Sequence, residues 1–112
     1  MRIIYGNKRV ERYFDDYGEM KKKIEFAWVK AVKKHTDRLK ASDTFGIFLK
    51  LGLGQPEPLK GSRSGSYSLR ITGNVRLIIR PGGNENDVLL CNEITIEGLV
   101  DYHGGKETWY IP

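Results

Sequence analysis

The stretch Tyr67-Ser68-Leu69-Arg70-Ile71-Thr72-Gly73-Asn74-Val75-Arg76-Leu77-Ile78-Ile79-Arg80 holds two alternating runs around a turn pair. The register between them decides which face of a sheet is apolar. A two-residue Gly73-Asn74 turn would set Arg70 opposite Leu77 and mix polar and apolar side chains on both faces. A three-residue loop, Thr72-Gly73-Asn74, pairs Ile71 with Val75 and gathers Tyr67, Leu69, Ile71, Val75, Leu77 and Ile79 on one face. That register makes a clean core face, with Asn74 expected in the left-handed conformation such a loop calls for. The opposite face then carries Ser66, Ser68, Arg70, Arg76, Ile78 and Arg80, with Arg70 directly across from Arg76. Facing like charges destabilise a strand pair, and an anion seated between them removes that cost.

Charge along the chain follows the same division. Residues 50 to 80 hold Lys50, Lys60, Arg63, Arg70, Arg76 and Arg80 against Glu57 alone, a net of +5. Residues 81 to 112 hold Lys106 against Glu85, Asp87, Glu93, Glu97, Asp101 and Glu107, a net of −5. The overall +5 is therefore a local basic patch, rich in arginine, whose guanidinium forks suit phosphate oxygens. A polyanion, nucleic acid above all, is the functional reading; a solvated charged surface is the bland one.

Upstream, residues 1 to 5 read as a short strand ended by Gly6-Asn7. Val10, Tyr13, Phe14 and Tyr17 recur at helical spacing, with Gly18 as a stop. From Met20 to Leu39 the residues Met20, Ile24, Ala27, Trp28, Ala31, Val32 and Leu39 form one stripe, with lysines largely opposite. Phe26 and Val29 fall off that stripe and are candidates for an exposed partner-binding spot. His35 reads as polar-face or interface material without a role. Asp43 is a candidate cap for a short helical turn in which Phe45, Phe48 and Leu49 share a face, and residues 52 to 58 form a breaker-rich loop.

Downstream, Asp87 to His103 reads as one long strand with Val88, Leu90, Ile94, Ile96, Val100 and Tyr102 on one side. Gly98 is a candidate bend or bulge. If alternation survives it, Asp101 and His103 share a face and Tyr102 points away; a bulge could bring the three together. The expected architecture is α+β: one domain over 1–112, with two N-terminal helices packed on one face of a twisted, mainly antiparallel sheet of four to five strands.

Length and composition set outer bounds. A chain of 112 residues, 39% hydrophobic, fits one domain, and its mean hydropathy is −0.47. No apolar run approaches the ~20 residues of a spanning helix, and no signal-type apolar run follows Met1, so the expected location is the cytoplasm, with no membrane contact. One cysteine, Cys91, and two distant histidines give no disulfide and no zinc-ligand spacing. The expectation is chemistry without a metal or cofactor, with Cys91 as buried filler.

Metal-free RNA cleavage needs a group to take the 2′-hydroxyl proton, a group to protonate the leaving 5′-oxygen, and cations on the phosphate. His103 can transfer protons near neutral pH, Asp101 can orient it or act as base, and Tyr102 can stack on a base. Lys60, Arg63, Arg70 and Arg76 can hold the phosphate.

The order strand, two helices, strands, together with Pro58-Leu59-Lys60-Gly61-Ser62-Arg63, Tyr67-Ser68-Leu69-Arg70, Val75-Arg76 and Val100-Asp101-Tyr102-His103, resembles the HigB branch of the RelE/ParE toxin superfamily. The resemblance spans nearly the whole chain. It implies a RelE-like, microbial-RNase-like fold with the first strand beside the last. It also implies a type II toxin that cleaves mRNA on the bacterial ribosome and is neutralised by a helix-turn-helix, HigA-like antitoxin in a heterotetramer. Asp101, Tyr102 and His103 match the catalytic end of that branch, and Lys60, Arg70 and Arg76 match its basic residues. Glu57 stands where some members carry histidine, which makes it a second candidate carboxylate. Residues 104 to 112 extend past the family's usual end. Competing readings are a non-catalytic nucleic-acid or ribosome-binding module and a ParE-like gyrase poison.

Overall fold

The computed structural model describes residues 1–83, 86–103 and 105–112. Strand β1 (Arg2–Tyr5) leads into α1 (Lys8–Asp15), the short α2 (Tyr17–Met20), the long α3 (Phe26–Ala41) and α4 (Phe45–Lys50). The rest is strand: β2 (Glu57–Pro58), β3 (Tyr67–Arg70), β4 (Val75–Gly82), β5 (Glu93–His103) and β6 (Lys106–Ile111), with single 3₁₀ turns at Gly61–Arg63 and Val88–Leu90. The described residues thus form six strands and four helices, where the sequence suggested four to five strands and two N-terminal helices. The sheet order is β1-β5-β4-β3-β2, and β6 also pairs with β5. Among the described strands only β1 runs parallel to its neighbour. It lies beside Glu93–Ile96, and β6 takes over the same edge of β5 from Leu99 to His103.

The helical region differs from its sequence reading for local reasons. The Asn7 side chain caps α1 through the Val10 N–H at 2.9 Å. The Asp16 carboxylate then accepts from the Gly18 and Glu19 N–H groups at 2.9 and 3.3 Å, ending α1 and starting α2 where one continuous helix was expected. Helix α3 starts at Phe26, not at Met20, so Met20 and Ile24 do not set its phase. Its buried stripe is Val29, Val32, His35, Thr36 and Leu39, rotated from the expected one, and Ala27 is exposed. Val29 is accordingly a core residue at 4% exposure, whereas Phe26 stays 61% exposed. The partner-binding spot inferred from the sequence therefore loses Val29. Helix α4 is capped by Thr44, not Asp43, through the Ile47 N–H at 3.3 Å.

Phe14, Met20, Val32, Leu39, Phe45 and Phe48 from the helices meet Leu69, Leu77, Ile79, Ile94, Ile96 and Leu99 of the sheet in one apolar core. Its energetic weight is that of the hydrophobic effect, ~2–5 kcal/mol per large side chain truncated to alanine. Val88, Leu89 and Leu90 are exposed in their 3₁₀ turn and do not extend β5. With Ile47 and Leu49 of α4, Leu89 and Leu90 line a groove of about 450 Å³.

The β3–β4 register is the one expected: Tyr67 opposite Ile79, Leu69 opposite Leu77, and Arg70 opposite Arg76. The loop closes without a left-handed Asn74. Instead the Thr72 hydroxyl accepts from the N–H groups of Asn74 and Val75 at 3.3 and 3.0 Å, a side-chain turn that needs no positive φ.

In β5 the alternation does not survive Gly98. Ile78 pairs with Gly98 and Ile79 with Ile96, leaving Glu97 as an extra residue. Gly98 has φ +149°, and a Cβ there would collide with the carbonyl oxygen of Ile111 and lie 3.0 Å from the Trp109 ring. Only glycine admits that approach. The bulge reverses the parity of the strand: Ile94 and Ile96 face the core before it, and Leu99 does after it. Val100, expected beside Ile94 and Ile96, therefore lies on the opposite face, in register with Arg76.

Candidate functional site

The parity reversal decides which side chains meet the arginines. Arg76 shares its face with Val100 and, by alternation, with Tyr102; Trp109 and Glu107 of β6 pair with Val100 and Tyr102 on that face. Burial raises the Tyr102 pKa, Glu107 raises it further, and Arg63 and Arg76 oppose them, which sets the phenol among these charges. Arg63, in the 3₁₀ turn after Lys60, lies 4.5 Å over the Trp109 ring and pairs with Glu107 at 3.5 Å.

The acidic C-terminal third neutralises part of the basic patch. Glu97 pairs with Arg80 at 3.8 Å while also accepting a short hydrogen bond from the Ser66 hydroxyl; Glu93 pairs with Arg2, outside the patch, at 3.3 Å. Among the described residues, Lys60 and Arg70 have no side-chain partner. Arg76 has no carboxylate; its Nη1 donates to the carbonyls of Thr72 and Val75 at 2.7 and 3.2 Å. This fixes one guanidinium on the loop while leaving its charge unneutralised. Arg70 is exposed and Arg76 half-buried, one on each strand of the pair.

The loop tip draws in a third group. The Asn74 carbonyl accepts from the Tyr102 N–H at 2.9 Å, and its side-chain Nδ2 lies 3.3 Å from His103 Nδ1. An amide nitrogen can only donate, so in this arrangement Nδ1 accepts and Nε2 carries the proton. Rotation of the amide would present its oxygen to an imidazolium instead. Asn74 was given a turn role by the sequence; nothing in the local pattern marked it as the residue that holds His103.

Asp101 does not join this group. It shares a face with Val75, toward the helices, where its Oδ2 accepts from the Tyr110 hydroxyl at 3.1 Å. That bond and burial raise the Tyr110 pKa. The Trp28 ring meets the Tyr110 ring edge-on at 5.2 Å, and Asp101 Oδ1 is buried with no hydrogen-bond partner among the described residues. Glu57, exposed in β2 opposite Ser68, stands on the arginine face. The structure thus gathers Arg70, Arg76 and Tyr102 on one face at the hairpin, with Arg63 and Glu57 along that face; Asp101 and, by alternation, His103 belong to the other, His103 reaching the hairpin tip through Asn74.

Two further points bear on the chemistry. Cys91 is buried, and among the described residues no group of three or more His, Cys, Asp or Glu side chains could hold a metal ion. No helix among those residues is long and apolar enough to cross a membrane.

No protein-family model and no curated protein matches this chain. Solved structures do. A YoeB/ParE toxin from Agrobacterium tumefaciens superposes with a TM-score of 0.56 at 23% identity, covering 86% of this chain and 92% of that one. The YoeB-YefM complex from Staphylococcus aureus superposes with a TM-score of 0.59 at 22% identity, covering 92% and 97%. The chain therefore has the α+β fold of the YoeB/ParE toxins.

Proposed function

We infer that this protein is the toxin of a type II toxin-antitoxin pair, of the HigB branch, and that it inhibits translation by cleaving mRNA on the bacterial ribosome. The observation that carries the reading is the Arg70–Arg76 pair, two guanidiniums without carboxylate partners facing each other across β3 and β4, on the hairpin whose tip residue Asn74 meets His103. A phosphodiester seated there replaces their mutual repulsion with two charge-assisted contacts. In the transition state, where the phosphate gains charge, those contacts strengthen. Lys60 and Arg63 bind the flanking backbone, and Tyr102 stacks on a base.

His103 protonates the leaving 5′-oxygen, with Asn74 serving both protonation states of the ring. Glu57 is a carboxylate on the arginine face that, unlike Glu107, has no ion-pair partner among the described residues, and it takes the 2′-hydroxyl proton, while Asp101 acts from the opposite face through Tyr110 and the β6 edge. The fold likeness to a toxin solved together with its antitoxin supports a protein partner of the same kind. We assign that partner as a HigA-like helix-turn-helix antitoxin in a heterotetramer, docking on Phe26, whose ring lies 5.6 and 5.7 Å from the Lys21 and Lys30 amines.

The test is purified translation with primer extension on the mRNA. Cleavage leaving a 2′,3′-cyclic phosphate and a 5′-hydroxyl is the expected result, insensitive to EDTA once ribosome integrity is controlled. Products with a 5′-phosphate would sink the mechanism. Ribosome or RNA binding without any cleavage would establish the non-catalytic docking reading, and inhibition of gyrase in its place would establish the gyrase poison.

A further inference from the structure

A second cleft, of about 360 Å³, opens between α1 and the end of β6, lined by Arg9, Arg12, Tyr13, Lys23, Trp109 and Pro112 among others. Only part of its charge is spent internally. Glu19 takes Arg12 and Lys22, each at 3.3 Å; Arg9 and Lys23 have no ion-pair partner among the described residues. Trp109 and Pro112 also line a neighbouring cleft of about 310 Å³ with Arg63 and Glu97, so the two clefts share a wall. On that wall Arg63 stacks over Trp109, and Asn7 ties the Pro112 carbonyl to the start of α1 at 3.1 Å. Glu97 is already occupied by Arg80 and Ser66. The result is a basic path from the hairpin tip, past Arg63, around the edge strand to Arg9 and Lys23.

We propose that the α1–β6 cleft is a second phosphate subsite, which takes a backbone phosphate of the same single-stranded RNA and leads the strand from the arginine face across Trp109. This rests on the RNA-binding reading given above. Cations interleaved with flat surfaces, here Tyr102, the Arg63 guanidinium on Trp109, and Tyr13, suit an unpaired strand, whose bases are free to stack. A duplex exposes its phosphates but hides its base faces, and so would gain little from them.

The experiment is fluorescence anisotropy with unpaired RNA oligonucleotides of about 4 and about 16 nucleotides, on wild type and on Arg9→Ala/Lys23→Ala. Both substituted side chains are exposed, so the variant folds as wild type. For the longer oligonucleotide the variant is expected to bind roughly tenfold more weakly at moderate salt. Its log-affinity against log-salt slope should fall by about 1.4, the effect of two lost phosphate contacts on a single strand. For the shorter one, held at the hairpin tip, the two proteins should agree. Equal affinity and equal slope on the longer oligonucleotide would overturn the subsite, as would no binding by wild type. So would binding of an acidic peptide that is lost in Arg9→Ala/Lys23→Ala yet leaves the RNA affinity of wild type unchanged, since it would assign these cations to a protein surface. Cleavage in the translation assay is read separately: a variant-sensitive slope without cleavage sinks the nuclease and keeps the subsite, and cleavage without it does the reverse.

Discussion

His35 Nε2 lies 3.0 Å from the carbonyl oxygen of Arg70. A carbonyl only accepts, so Nε2 carries the proton and the imidazole donates. On the other side of the same residue, the Arg70 N–H donates to the Gly54 carbonyl at 2.6 Å. Gly54, at φ +73°, packs so closely that a Cβ would come within 2.9 Å of the His35 ring. The end of β3 is thus clamped between α3 and the loop after α4, and the guanidinium extends from a backbone that cannot drift.

This clamp predicts an acid-sensitive fold. Burial, above all, lowers the His35 pKa from its ordinary 6.5, with Arg38 and Lys34 adding to it and the Arg70 bond opposing. The unfolded chain therefore binds more protons at this site than the folded one. Stability should be full above pH about 6.5 and fall as the pH drops from there toward the depressed folded value. Thermal unfolding between pH 7.5 and 5 should show the decline, and His35→Gln, whose amide can still donate, should flatten it. An unchanged acid slope in that variant would remove His35 as the cause.

Arg70→Ala and Arg76→Ala should both abolish toxicity at equal expression, but they should part in stability. Arg70 has no side-chain partner among the described residues and faces a like charge, so its removal should leave the melting temperature equal or higher. Arg76 donates to two loop carbonyls, so Arg76→Ala should cost ~1 kcal/mol. Urea unfolding separates the two, and full toxicity in both variants would place the phosphate elsewhere.

Gly98→Ala should be among the most damaging single substitutions, at ~3 kcal/mol or more, because its Cβ would meet a backbone carbonyl and the φ suits glycine alone. Loss of the β5–β6 amide protection in hydrogen exchange should accompany it. A near-neutral effect would mean that the bulge can relocate.

His103→Ala should slow mRNA cleavage by ~100-fold or more with ribosome affinity little changed, the usual scale for losing a general acid. Asn74→Ala should give a smaller loss, because Asn74 acts only by positioning the ring. Single-turnover cleavage rates for both variants provide the check. A His103→Ala enzyme as fast as wild type would assign the proton to another group.

Phe26→Ala should weaken antitoxin binding tenfold or more while leaving the melting temperature unchanged, since the ring is exposed. Val29→Ala should do the opposite, destabilising the fold through a cavity. Titration calorimetry and thermal unfolding on the same two variants distinguish anchor from core.

The β3–β4 register was legible in the sequence because only one pairing of Tyr67–Arg70 with Val75–Arg80 separates apolar from charged side chains, and a period of two is a local property. The segregation of charge, and with it the Arg70–Arg76 pair, followed from that register. Helix α3 was legible as a helix, but its phase was not. Met20 and Ile24 repeat at helical spacing and join the same core, yet both precede α3, Met20 ending α2 and Ile24 lying between the two helices, so Val29 and His35 were placed on the wrong side.

What only the tertiary structure decided is the far side of the site. Whether Asp101, Tyr102 and His103 meet the arginines depends on the parity of β5 after Gly98. That parity is set by a bulge at which the carbonyl of Ile111, thirteen residues on, comes so close that only glycine fits. Alternation carries no information about a backbone that arrives from elsewhere. For the same reason the sequence could pair Asp101 with His103 but could not foresee Tyr110 taking the carboxylate or Asn74 taking the ring: both contacts exist because β6 and the hairpin loop are brought against β5 by a sheet assembled from distant segments.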